Sequence, residues 1–474
     1  MRFREQAGAS EIDIQVCNHN YLLADTLRRT DSKHPLIPNY QSVIIDEAHK
    51  FLSAVRSMYG IELSCSEPFE IEALANGINF KSEPKQDEIY NVAGKLSNVS
   101  ARLFRRLEEL AVCEETEEET DHFYAEFDED NHRLIKKIRN ISDELIELIT
   151  AEPVTGKNAE RKKQLLWQLG EIGKQAAAFV WHDDYICWLE KDEKDCRLCA
   201  IPKDLDKRLY DDLWSKGIPT ILTSGTLSAA GDFSHIKRTL GIERVGKSRL
   251  TETSKPPPFN YRENALIYIS ENMPFPDRRD GEYILAVANE VEQLIYASHG
   301  HAAVLFTSYR AMDMVLEHLE ERGIPFPFFR LDKGSIREID RFKKSGNGVL
   351  FAAEALWEGI DIPGDTLSML ILVKLPFAVP DPVGEYEQTL YKNMAKYKEC
   401  VINPEMLIKN KQGYGRGIRI ESDTCVFAFL DCRVSKKGSY RVIMLNSLPY
   451  CPVTDSMTVV ENFYPEKKSA NYFV

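Results

Sequence analysis

Five apolar runs in the second half of the chain constrain its fold more than any other feature: AAVLFTSYR (302–310), PFPFFRL (325–331), GVLFAAEALWEG (348–359), LSMLILVKLPF (367–377) and TCVFAFLDCR (424–433). Their apolar residues are consecutive rather than alternate, so a strand made from any of them has to be covered on both faces. Helical spacing fills intervals between them, as in the amphipathic stretch running to Leu319. Strands of this kind alternating with helices imply an α/β chain built on a doubly wound, mostly parallel sheet. Function in such sheets sits beyond the carboxyl ends of the strands. Here those ends carry Thr307-Ser308-Tyr309-Arg310 and Glu358-Gly359-Ile360-Asp361. Two runs in the first half, QSVIIDEAHKF (41–51) and PTILTSGTLS (219–228), end in Asp46-Glu47-Ala48-His49 and Thr223-Ser224-Gly225-Thr226.

Between those two runs the period changes. Ile89, Val92, Leu96, Val99, Leu103, Leu107 and Leu110 form one stripe of a long amphipathic helix. Leu134, Ile138, Ile141 and Leu145 repeat the pattern, as do Leu165, Leu169, Ile172, Ala176 and Phe179. CEETEEETD (113–121) reads as a solvated acidic connection, and YICWLE (185–190) with CRLCAIP (196–202) as a hairpin. IDIQVCNHNYLL (12–23) reads as a strand leading into a helix, and the proline-rich KPPPFNY (255–261) as a domain boundary. The expected organisation is a discontinuous first domain (1–60 and 179–254), a helical insertion (61–178) and a second domain (255–474).

Composition narrows the function classes. A net charge of −14 argues against a uniformly basic DNA-coating protein and leaves room for a local basic groove. The N-terminal stretch has no signal-peptide core, and the longest apolar stretch is interrupted by Lys374 and too short to span a bilayer. Ten scattered cysteines fit a reducing compartment, so the expectation is a cytoplasmic protein with no membrane partner.

The ordered series VCNHNYLLAD (16–25), VIIDEAHKF (43–51), SGTLS (224–228), VLFTSYRAMDMV (304–315), EALWEGIDIPGD (354–365) with LILVKLPFAVPDPV (370–383), and QGYGRGIRIESD (412–423) with LDCR (430–433) resembles the XPD/DinG family of superfamily 2 DNA helicases over nearly the whole chain. DEAH alone is a weak signal; the series is a strong one. The resemblance implies two RecA-like motor domains, the first incomplete, with a helical Arch-like insertion. It also implies ATP-driven, 5′-to-3′ movement on single-stranded or forked DNA. Asp46 would hold magnesium against the outer phosphates, Glu47 would orient or deprotonate the attacking water, and His49 would tie nucleotide state to Ser224 and Thr226. The alternative for the acids is a capped strand end. Gln412, Gly415, Arg416 and Arg419 belong to the family's last motif. The spacing of Gln412, Arg416 and Arg419 places them on one helical face, where the arginines would reach across to the transferring phosphoryl group or else make ordinary surface salt bridges. Glu358, Gly359 and Asp361 resemble the motif coupling DNA contact to the nucleotide, although Asp361 could instead cap a turn.

Thr307, Ser308, Tyr309 and Arg310 offer hydroxyls, an aromatic face and a cation to a phosphate backbone and a stacked base, unless Tyr309 packs inward. Trp357 has the same two readings, stacking or core. Cys196 and Cys199 form a CxxC within a strand-like stretch, where residues three apart face opposite sides, so every cysteine is expected to be structural. The resemblance puts the family's iron–sulfur cysteines upstream of this chain. No G-x-x-x-x-G-K-[ST] loop to cradle phosphates stands ahead of the VCNHNYLL segment, where the resemblance would put it, and the Gly173-Lys174 pair sits in a helical pattern. The resulting expectation is the C-terminal part of an ATP-dependent helicase whose phosphate loop comes from a missing N-terminal segment. A non-hydrolysing, helicase-derived DNA-binding or interaction subunit is the alternative.

Overall fold

The structure is a computed structural model and describes residues 13–31, 34–110, 122–124, 127–154, 156, 158–191, 195–229, 231–276, 281–332, 336–353, 362 and 364–473. The chain divides into two compact units: Met1–Leu222 with Arg238–Gly246 and Val379–Met394, and Thr223–Lys237 with Lys247–Ala378 and Ala395–Val474.

In the first unit, helix α1 (His19–Thr30) starts at Asn18, whose side chain accepts the Tyr21 N–H at 2.8 Å. The strand expected before it does not form: residues 13–18 pair with nothing in a described sheet, and Ile14 and Val16 are 81% and 92% exposed. Alternation alone makes no strand when no ladder partner meets it. Strand β1 (Val43–Ile45) instead pairs in parallel with β6 (Thr220–Leu222). Their opposed residues Ile44 and Ile221 are 68% and 59% exposed, so among the described residues one face of this pair is uncovered. Helix α2 (Phe51–Tyr59) follows the acids of the 46–49 turn.

The insertion is a helical bundle standing on a small sheet. Its helices are α3 (Glu67–Asn76), α4 (Glu83–Leu110), α5 (Glu129–Ala151) and α6 (Asn158–Val180). Its strands β2 (Ile61–Ser64), β3 (His122–Tyr124), β4 (Tyr185–Lys191) and β5 (Cys196–Pro202) are antiparallel, in the order β2-β5-β4-β3. The expected hairpin is therefore β4–β5, extended on both sides into a platform. The stripe residues of α4, α5 and α6 meet in one core with Leu63, Leu189 and Leu198 of the sheet. Leu110 and the acidic 113–121 segment lie outside the described side chains. Helix α7 (Leu205–Asp212) leads from β5 back toward β6, and the helix Pro382–Thr389 packs on β4, with Glu387 paired to Arg238 within the same unit.

The second unit carries the sheet that the apolar runs call for. Strands β7 (Ala265–Ile269), β8 (Ala302–Phe306), β9 (Phe328–Leu331), β10 (Val349–Ala353), β11 (Met369–Leu372), β12 (Cys425–Phe429) and β13 (Val453–Thr454) lie in the order β13-β7-β12-β11-β8-β10-β9, every pair parallel. Successive residues alternate between two cores: Val426 and Ala428 face one, Cys425, Phe427 and Phe429 the other. Helices α8 (Gly281–Ala297), α9 (Tyr309–Glu320) and α12 (Met457–Lys467) cover the first face, while α10 (Ile336–Ser345) and α11 (Asn403–Tyr414) cover the second.

The C-terminal segment is fastened over the amino ends of the central strands. Tyr464 Oη donates to the Ser368 carbonyl (3.0 Å), and Tyr472 Oη to that of Ser298 (2.8 Å). His301 stacks on the Tyr472 ring at 4.0 Å, with Nε2 3.1 Å from the Tyr472 carbonyl; its buried Nδ1 has no hydrogen-bond partner among the described residues. Burial pulls the His301 pKa below its ordinary value, against the opposing pull of the Tyr472 carbonyl and Asp365. A histidine whose folded pKa is depressed binds fewer protons folded than unfolded. Its contribution is complete above about pH 6.5 and is lost as pH falls below it. The second unit should therefore melt lower at pH 5.5 than at pH 7.5, and His301→Phe, which keeps the ring stack, should flatten that difference in paired thermal scans.

Candidate functional site

The acids of the first unit sit where β1 ends. Asp46 and Glu47 are exposed, and Glu47 takes a left-handed backbone (φ 47°, ψ 46°), a conformation costly for a residue with a β-carbon. The Glu47 N–H donates to Asp46 Oδ1 (2.9 Å), and His49 Nδ1 lies 3.2 Å from Glu47 Oε2. A residue that sequence reasoning did not single out fixes this tip: His19, at the start of α1, has Nε2 2.8 Å from the Asp46 carbonyl while its ring meets Phe51 edge-on at 5.4 Å. Its sequence signal was the NHNYLL stretch that precedes the acids in order.

Helix α1 is itself held by Asp25, which is 0% exposed and accepts the N–H groups of Leu36 (2.6 Å) and Ile37 (2.9 Å) and the Arg29 guanidinium (2.5 Å). No group of three or more His, Cys, Asp or Glu side chains among the described residues forms a metal cage. A magnesium ion that keeps most of its waters needs only one or two carboxylates, and an exposed Asp46 fits that demand.

In the second unit, the Thr226 N–H donates to Ser224 Oγ (3.1 Å), and Gln412 Nε2 reaches Thr226 Oγ1 at 3.5 Å. Gln412 lies in α11, but the shared helical face expected for Gln412, Arg416 and Arg419 does not exist. The helix ends at Tyr414, Gly415 caps it by donating to the Lys411 carbonyl (3.0 Å), and both arginines stand on the turn beyond. The reason is packing. Tyr414 stacks on Phe427 of β12 at 3.8 Å, and the chain then passes so close to that ring that a β-carbon at Gly417 would lie 2.6 Å from two of its atoms and from Cys425 Sγ. Buried Asp423 shapes the rest, accepting the N–H groups of Arg419 (2.7 Å) and Ile420 (3.0 Å) on one oxygen and that of Gly364 (3.1 Å) on the other.

At the tip of β8, Ser308 caps α9, its Oγ accepting the Ala311 N–H at 3.3 Å. Tyr309 is half-buried against the core with the Arg330 guanidinium 5.8 Å from its ring centre, and Arg330 is itself paired to Asp313 (2.6 Å). Thr307 is half-buried, and Arg310 is the exposed member of the four. Trp357, Glu358, Gly359 and Asp361 lie outside the described residues. Gly173 and Lys174 lie within α6, as their pattern implies.

Residues 291–451 match a family model described as a helicase C-terminal domain. The chain is 26% identical over 480 residues to the ATP-dependent DNA helicase YoaA of Haemophilus influenzae, covering 97% of this chain and 70% of that protein. It is 28% identical over 422 residues to the probable ATP-dependent helicase YpvA of Bacillus subtilis, covering 87% of this chain but only 61% of the relative. Among solved structures, S. tokodaii Xpd4 shares the fold with a TM-score of 0.56 at 16% identity, over 92% of this chain and 81% of that one.

The packing of the arginine turn makes a stability prediction. Gly417→Ala should destabilise the second unit by about 1–3 kcal/mol, the usual range for forcing a methyl into a filled core. Gly415→Ala, whose β-carbon meets only carbonyl oxygens at 3.4–3.5 Å, should be far milder. Urea denaturation of the two variants side by side measures the difference.

Proposed function

We propose that the chain is a helicase of the XPD/DinG type, as the match of residues 291–451 to a helicase C-terminal domain and the likeness to YoaA support, and that it acts in the ATP-dependent unwinding of DNA. The observation that carries the reading is the arginine turn. Two guanidinium groups follow the end of α11, on a loop braced by Asp423 and by the close approach of Gly417 to Phe427, one turn from the Gln412–Thr226 contact. Positioned cations of this kind neutralise charge on a phosphoryl group in flight. Asp46 would hold magnesium on the outer phosphates and Glu47 would orient or deprotonate the water, its left-handed backbone being strain that a solvated strand end has no use for. His49, Ser224 and Thr226 would relay nucleotide state, Gly415 would let the turn begin, and Glu358, Gly359 and Asp361 would couple it to DNA. Thr307, Ser308 and Arg310 would follow the phosphate backbone of a single strand, with Tyr309 and Trp357 adding aromatic contact. The direction of travel would be 5′ to 3′, and the working compartment the cytoplasm.

The one match to the phosphate-loop pattern in these 474 residues, Gly241 to Ser248, follows the helix Ser234–Thr239 rather than a strand and opens only the short 3-10 turn Lys247–Arg249. Hydrolysis would therefore need a phosphate-gripping loop from polypeptide outside this sequence, as would an iron–sulfur cluster. A subunit that only binds DNA would have no use for Asp46, Glu47, Arg416 and Arg419 together.

Two measurements test this. ATP turnover by the purified chain should stay near background with or without DNA, since catalysis of this kind is positioning plus charge. DNA-stimulated turnover that Glu47→Gln abolishes would show instead that the site is complete. Single-stranded DNA should bind without sequence preference and with steep salt dependence. Arg310→Ala should lower the slope of log K against log[salt] by about 0.7, one phosphate contact on a single strand. An unchanged slope would remove Arg310 from the path.

A further inference from the structure

The insertion is entered through β2 and left through β5, and these two strands are neighbours in the antiparallel platform. Their register runs Ile61↔Ala200, Glu62↔Cys199, Leu63↔Leu198 and Ser64↔Arg197. One step further, the Cys65 N–H donates to the Cys196 carbonyl at 2.9 Å, so Cys65 and Cys196 face each other directly across the ladder. Directly opposed residues in an antiparallel pair point to the same face. In a hydrogen-bonded pair their α-carbons sit about 5.5 Å apart, inside the roughly 4.4–6.8 Å span of disulfides. Both cysteines are reduced here.

The surroundings suit a thiol pair that can react. Cys196 is buried in the core of the insertion, while Cys65 is half-buried at its margin and reachable by a small oxidant. Cys65 Sγ donates to Asp195 Oδ1 (3.2 Å), a carboxylate also fixed by Ser64 Oγ (2.7 Å) and the Cys196 N–H (2.9 Å). Burial raises the Cys65 pKa, the Cys196 backbone pulls it back and Asp195 raises it further; burial, with smaller contributions from Glu108 and Cys65, pushes Cys196 up to about 12. Both groups therefore rest as thiols at neutral pH and react slowly rather than promiscuously.

We propose that Cys65 and Cys196 are a redox pair that closes into a disulfide at the neck of the insertion when the protein meets a peroxide. The steps balance. The Cys65 proton passes to Asp195 and on to solvent, and the thiolate attacks hydrogen peroxide, giving the sulfenic acid and hydroxide. The Cys196 sulfur then attacks the Cys65 sulfur as the Cys196 proton leaves with the departing hydroxide as water. Two thiols and one peroxide thus give one disulfide and two waters. The bond would tie residue 65 to residue 196, enclosing α3 to α6 in one loop and preventing β2 from separating from β5. Cross-links that close long loops restrict the unfolded chain most.

The test uses the full chain, reduced and then exposed to hydrogen peroxide, with remaining thiols alkylated and peptides mapped without reduction. The expected result is a linked Cys65–Cys196 peptide, reversible by dithiothreitol, and a melting temperature of the insertion several degrees higher in the oxidised form. Cys65→Ser, at the more accessible position, should reduce the linked peptide to background and abolish the oxidation-dependent melting shift. Circular dichroism on the same samples establishes that the fold is intact. Alkylatable Cys65 and Cys196 after peroxide in a folded chain would overturn the proposal. So would a bond from Cys65 to Cys187 or Cys199, or over-oxidation of Cys65 without a partner.

Discussion

Burial of both faces of the parallel ladder is the condition on which the second unit rests. From β7 to β10 the side chains alternate between two cores, and the backbone groups of the central strands are satisfied by neighbours on each side. Polar chemistry is thereby expelled to the ends of the strands. The carboxyl end of β8 holds the Thr307–Arg310 tip, the arginine turn leads into the amino end of β12, and the amino ends of β8 and β11 are closed by the tyrosines of the C-terminal segment. The arginine turn inherits its accuracy from the core: the Tyr414–Phe427 stack fixes where the helix stops, and the ring leaves space only for hydrogen at position 417.

The first unit reaches order at its acidic tip by another route. Its β1–β6 pair is short, and Ile44 and Ile221 on one side are largely in solvent, so little of the tip's geometry comes from sheet packing. Hydrogen bonds do that work instead. His19 holds the Asp46 carbonyl, α1 presents His19, and the buried Asp25 carboxylate locks α1 to the 34–38 segment. The left-handed Glu47 is the strained member of this arrangement, and the surrounding bonds are what keep it there.

The insertion shows how sequence distance hides neighbours. Four helices separate β2 from β5, yet the antiparallel register sets Cys65 opposite Cys196. The CxxC that draws the eye, Cys196 with Cys199, lies along a single strand, and Cys199 instead faces Trp188 and Glu62 across its two ladders. The platform also explains why a stretch whose periodicity is overwhelmingly helical is not a free-standing bundle, since Leu63, Leu189 and Leu198 of the strands complete its core.

What the sequence determined by itself was local or periodic. Consecutive apolar residues specified strands covered on both faces, three-and-four spacing specified the helices of the insertion with their buried stripes, and polar clusters marked the strand tips. Those signals are carried by neighbours along the chain, so they survive without tertiary information. What the tertiary structure decided depended on partners remote in sequence. Asp13–Asn18 alternates like a strand and is not one, because no described strand lies beside it. Gln412, Arg416 and Arg419 have helical spacing, yet only Gln412 stays in the helix and both arginines leave it, because Phe427 of the neighbouring strand stops it. Tyr309 turns its ring to the core and Arg330 and leaves Arg310 to solvent, and His19 becomes a site residue only because α1 ends its approach at Asp46. A spacing rule says which side chains share a face if the element continues, and only packing against residues far away in the chain determines whether it does.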